Sequence, residues 1–238
     1  MILLALDTCD SRGSLAILRD DEILKTIVHE GTSDYSSWVL PSADEALHDC
    51  GLKMTDIDVL AAAAGPGSFT GVRVGLTAVK AWSEVHRKPI ASVSRLQAIA
   101  SQAAVATSYV AACFDAQREQ VFGGLYRREG HDLCVVDQEM VVPPDGFLRW
   151  VEETTVGAAV CWVSLDPGKL TSLQPWESHA QKGESVQQST TVLAPVIGRI
   201  GRQRALAGQL IDALKLDAEY VRRSDAEIFW KGGAKRGA

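Results

Sequence analysis

The sequence lacks the spacings that metals and nucleophiles need. Its five histidines, His29, His48, His86, His131 and His179, never fall closer than 19 residues apart. Neither H-x-x-x-H nor H-E-x-x-H occurs, which removes the usual metallopeptidase helix, and no metal site is expected. Five cysteines, odd in number and scattered without a C-x-x-C pair, build neither a disulfide frame nor a zinc site; they point to buried thiols in a reducing compartment, the cytoplasm. There is no G-x-S-x-G elbow for an acyl-transfer serine. No apolar run approaches the ~20 residues of a membrane span, so no membrane partner is expected. Positive charge is in deficit, with 24 Lys and Arg against 30 Asp and Glu. An acidic chain gains no general attraction to phosphate backbones, so strong unaided nucleic-acid binding is not expected.

The 238 residues do carry a repeated order of elements. Ile2–Leu6, an unbroken apolar run without a basic leader, reads as a first buried strand ending in Asp7. Ser14–Leu18 and Glu22–His29 continue it as a meander. A helix follows over Ser36–Cys50, with Pro41 either in its first turn or kinking it, then a strand over Asp58–Ala64 and a helix over Thr70–His86. Tyr109–Tyr126 restarts the pattern, placing Asp115 where Asp7 stood. Asp132–Val142 reads as a third strand, Asp145–Glu153 as a short helix and Ala158–Leu165 as a fourth strand. Residues 166–191 read as loop, and Pro195 opens a helix running to about 214. The expectation is a duplicated α/β fold of two βββαβα-type halves, over residues 1–104 and 105–238. The second half is reduced, and its last helix is free to pack back on the first. Such an internal duplication is a pattern of the actin-like ATPase folds.

The stretch "AAAAGPGSFTGVRVGLTAVKAW", residues 61–82, holds the candidate chemistry. Gly65, Gly67, Ser68 and Thr70 form a turn between strand and helix whose backbone N–H groups can face an anion. With Asp7, Thr8 and Asp115 they make a candidate nucleotide or phosphate site in a cleft. The turn matches neither the P-loop nor the dinucleotide fingerprint, and a tight, well-capped turn is the plain alternative. In the helix, Gly71, Gly75, Ala78 and Trp82 share one stripe. Two glycines there cost about 1 kcal/mol each against alanine, so close approach of another backbone must compensate. Either a foreign helix or the chain's own core can supply it. The docking expectation adds Val39, Leu40 and Ala43 from the preceding helix.

"LALDT", "GPGSFTGVRVGLTAVKAW", "FDAQREQVFGGLY" and "AEYVRR" together resemble the TsaB (YeaZ) family, which takes part in making threonylcarbamoyladenosine on transfer RNA. The resemblance runs over essentially the whole chain. It implies an actin-like (ASKHA, ribonuclease H-like) fold and a non-catalytic accessory subunit without catalytic residues or an intrinsic cofactor. It implies a TsaD-like transferase and a TsaE-like ATPase as partners, with transfer RNA reached through the complex and ATP or ADP with magnesium bound at that level. It also implies docking or homodimerisation through the helices at Ser36–Cys50 and Thr70–His86. Tyr35 stands where the family usually has a histidine, and Cys9 where serine is commoner. An ATP-binding phosphotransferase or ATPase of the actin-like superfamily is the alternative function.

Overall fold

The computed structural model describes residues 1–31, 34–130, 132–219 and 221. Eleven strands and seven α-helices, with a short 3-10 turn at Met54–Asp56, are found among them. The first half comprises β1 (Ile2–Asp7), β2 (Ser14–Arg19), β3 (Glu22–Val28), α1 (Tyr35–Asp49), β4 (Val59–Gly65), α2 (Phe69–His86), β5 (Ile90–Ser94) and α3 (Arg95–Ala100). The second comprises β6 (Tyr109–Asp115), β7 (Val121–Glu129), β8 (Asp132–Val135), β9 (Met140–Val142), α4 (Pro144–Thr155) and β10 (Val160–Ser164). It continues through α5 (Gly168–Thr171), α6 (Trp176–Gln181), β11 (Val186–Gln188) and α7 (Ala194–Leu206).

The two sheets have the same plan. In the first the order is β3-β2-β1-β4-β5, and in the second β8-β7-β6-β10-β11 with β9 also pairing β7. In each, the opening strand runs antiparallel to the second and parallel to the strand after the meander, β4 in the first half and β10 in the second. This is the duplicated, actin-like α/β fold, its second sheet carrying six strands against five in the first. β1 and β4 are central and covered on both faces, which explains their continuous apolar lettering.

The last helix of each half crosses to the other. α3 packs on β6 and β7 as well as on β4 and β5, while α7 lies across β1, β2, β4 and β5. The alanines of β4 make room for this crossing. A Cβ on Gly201 of α7 would sit only 2.7 Å from the Ala61 Cβ, so the helix rides almost on the sheet backbone.

Four sequence expectations need correction. Residues 166–191 are not loop but contain α5, α6 and β11. Asp132–Val142 is two short strands, each pairing a different stretch of β7. The last helix stops at Leu206, because Gly208 turns left-handed at φ 70°. Beyond it, Ile211 exchanges backbone hydrogen bonds of 2.8 and 2.9 Å with Ile90 at the edge of β5. Finally, β5 and α3 were not anticipated at all. Pro41 lies inside α1, resolving the alternative left open.

Candidate cleft site and docking helices

Asp7 ends β1 with no exposed surface, and its carboxylate is already engaged. Oδ1 accepts the Cys9 N–H at 2.9 Å, closing a turn two residues on. Oδ2 accepts from Nε of Arg95 at 3.3 Å, and Arg95, opening α3, is itself only 1% exposed. The same guanidinium donates through Nη2 to Asp10 at 3.1 Å and lies 4.7 Å from the Phe114 ring centroid. Burial would lift the Asp10 carboxyl, but Arg95 and the Ser11 N–H outweigh it and hold the pKa below the usual value. Burial pulls the Arg95 pKa down, and the two aspartates more than reverse this. The Cys9 thiol is pushed well up, first by burial and then by Asp7, so it is no nucleophile at neutral pH.

Asp115 repeats the Asp7 turn in the second half, with Oδ1 accepting the Gln117 N–H at 3.0 Å. Its charge is met by Lys169 Nζ at 3.1 Å. The two strand-end aspartates therefore match by duplication, yet each has its own cation. Among the described residues, no group of three or more His, Cys, Asp or Glu side chains is placed to hold a metal ion.

The glycine-rich turn is packed from within. Ser68 donates its N–H to the Cys9 carbonyl at 2.7 Å, and its hydroxyl caps α2 by accepting the Gly71 N–H at 3.4 Å. A Cβ on Gly67 would overlap Cys9, so the loop after β1 lies in the concavity proposed for a phosphate. The same holds one turn later. A Cβ on Gly71 would overlap the Thr8 carbonyl, and one on Gly75 the Thr8 hydroxyl, which donates to the Gly71 carbonyl at 2.7 Å. Thr8 thus contacts the helix rather than an open cleft.

This corrects the docking stripe. Gly71 and Gly75 are buried against the chain's own β1 end, and Val39 and Ala43 face the core with 2% and 3% exposure. Leu40 is open at 58%, and Ala78 and Trp82 are half-buried. A second stripe, Val74, Ala78, Ala81 and Val85, repeats the same i, i+4, i+7, i+11 spacing one step round α2; Ala81 and Val85 are exposed, while Val74 and Ala78 are half-buried against the core. Val85 is 74% exposed. The sequence offered this stripe as plainly as the buried one, but two glycines drew attention to the wrong face.

Tyr35 also finds a definite place. Its hydroxyl donates to the Asp10 carbonyl, and its ring lies 4.4 Å from that of His29 and 5.8 Å from that of Trp38. It therefore ties the start of α1 to the loop that carries Asp10. Burial pushes its pKa up to about 12, so the hydroxyl stays a donor.

Comparison with known proteins agrees with this architecture. Residues 22–156 match the family described as TsaD, tRNA N6-adenosine threonylcarbamoyltransferase. The tRNA threonylcarbamoyladenosine biosynthesis protein TsaB of Haemophilus influenzae is 36% identical over 244 residues, covering 97% of this chain and 96% of that protein. The TsaB protein of Bacillus subtilis is 32% identical over 154 residues, a region that spans 64% of this chain and 65% of the relative. The solved structure of YeaZ from Pseudomonas aeruginosa superposes with a TM-score of 0.70 at 23% identity, over 92% of this chain and 99% of that one, and so shares the fold. With 97% of its length matched to the Haemophilus relative at 36% identity, the chain belongs to the TsaB family.

Proposed function

We propose that the chain is an accessory subunit in the synthesis of threonylcarbamoyladenosine on transfer RNA, and that it acts by docking to a TsaD-type transferase. Family membership supplies the pathway. The apolar stripe of α2, with Val74 and Ala78 half-buried and Ala81 and Val85 exposed, is the observation that carries the docking mode, since a short apolar ridge lets a second helix pack against it. Leu40 on α1 adds an exposed apolar residue from the neighbouring helix. A TsaE-type ATPase and ATP or ADP with magnesium would enter at the level of the complex, and transfer RNA would be contacted through the transferase. The same face would serve self-association when the transferase is missing. The engagement of Asp7 by Arg95 supports an accessory role over the phosphotransferase alternative, because a carboxylate so paired is unavailable to a nucleotide-bound cation.

The test is Ala81→Glu, which adds a charge to an exposed position and leaves the core untouched. Affinity for the TsaD-type partner, measured by calorimetry, should fall by about tenfold or more, because a carboxylate would have to be desolvated in the interface. The melting temperature of the isolated chain should not move. Unchanged affinity would remove α2 as the contact, and turnover of magnesium-ATP by the isolated chain would overturn the accessory reading.

A further inference from the structure

Where the two halves meet lies a cavity of about 560 Å³. Its polar groups come from six separate elements or connections: Ser94, Gln97, Tyr126, Glu139, Arg204 and Glu219. Glu139 sits at the centre of the argument. Its Oε1 accepts from the Ser94 hydroxyl and from the Tyr126 hydroxyl at 2.6 Å, while Oε2 is buried with no hydrogen-bond partner among the described residues. Neither protonation state repairs this. An ionised Oε2 needs a donor, and a protonated one needs an acceptor, because Oε1 is already taken. A buried polar oxygen left this way costs about 1–3 kcal/mol.

The cavity's own cation does not settle the account. Arg204 donates through Nη2 to the Gln97 side-chain carbonyl at 2.6 Å and forms no ion pair with Glu139 or Glu219 among the described residues. Two carboxylates therefore face one guanidinium that pairs with neither. Burial raises the Glu139 carboxyl. Burial and then Glu139 push Glu219 up to about 7, against the opposing effect of Arg204. A second positive charge would relieve both acids at once, and the hydrocarbon side of Leu133 and Val221 suits an alkyl stem.

We propose that this inter-half cavity binds an organic cation, an alkylammonium or alkylguanidinium group, through the free oxygen of Glu139 and the carboxylate of Glu219. The group arrives either on a small ligand or on a basic side chain, and the sequence places Arg222 and Arg223 directly after Val221. Titration of the full-length, isotope-labelled protein with butylguanidinium should give saturable shifts at the amides of Gln97, Tyr126 and Glu139. Butylurea, of the same shape without the charge, should bind at least about tenfold more weakly. Glu139→Gln, whose amide oxygen still accepts from Ser94 and Tyr126, should fold normally and lose at least about tenfold in affinity. Binding should strengthen as pH rises through about 7, because the cation favours the ionised form of Glu219; Tyr126, held well above its usual pKa by burial, stays neutral there, and Arg204, lowered by burial, stays charged.

If saturation is seen only in the Arg222→Gln/Arg223→Gln double variant, the occupant is the chain's own guanidinium, and the site stands. Failure to saturate in both proteins overturns the proposal. So does equal binding of butylurea, or an affinity unchanged by Glu139→Gln.

Discussion

Arg95→Met is expected to lower the stability of the chain by about 3–5 kcal/mol, read from urea denaturation of the isolated protein. The substitution roughly keeps side-chain length and removes a guanidinium that is 1% exposed and holds Asp7, which is not exposed at all. What costs so much is the carboxylate left behind. Asp7 would retain one backbone donor, the Cys9 N–H, and no cation. Asp10 would suffer less, since its side chain is 47% exposed and water can take over. Two further variants separate this account from simple loss of packing. Asp7→Asn alone should also destabilise, because it leaves Arg95 buried against a neutral amide. In Arg95→Met/Asp7→Asn the two losses should not add, and the double variant should recover to within about 2 kcal/mol of the wild type. Purely additive losses would mean that the pair is a packing contact between β1 and α3, not an electrostatic one.

That pair also shows where sequence reasoning reached its limit. Asp7 and Asp115 stood out because each ends an apolar strand, and both are indeed turn-closing aspartates at equivalent places. The partner that decides the chemistry of Asp7 lies 88 residues away, in "IASVSRLQAIA". Small residues and serines blur the period of that segment, so neither β5 nor α3 was legible. The one arginine among them was its only distinctive feature, and a charge inside an otherwise small and apolar run asks for a buried counter-charge. The central strands were legible for the opposite reason, since burial on both faces leaves an uninterrupted apolar run. The Glu139 cavity had no local signature, being assembled from β5, α3, β7, the β8–β9 connection, α7 and the segment after it.

On α2 the period was right and the face was wrong. Positions 71, 75, 78 and 82 and positions 74, 78, 81 and 85 share one spacing, so periodicity alone cannot say which stripe turns inward. Thr8 decides it, and this gives a prediction whose sign discriminates between the two readings. If Gly71 faced a foreign helix, Gly71→Ala would stabilise the free chain by about 1 kcal/mol through helix propensity. Against the Thr8 carbonyl, a backbone atom fixed by the end of β1, the added methyl has nowhere to go. Overpacking should cost about 3 kcal/mol, for a net loss of about 2 kcal/mol and a lower melting temperature. Gly75→Ala meets a side-chain oxygen instead, so its loss should be smaller and should shrink further in Thr8→Ala/Gly75→Ala. Thr8→Ala should bring no such relief to Gly71→Ala, because the clashing carbonyl remains. A melting temperature raised by Gly71→Ala, together with weakened partner binding, would return the glycines to the docking surface and displace the second stripe from that role.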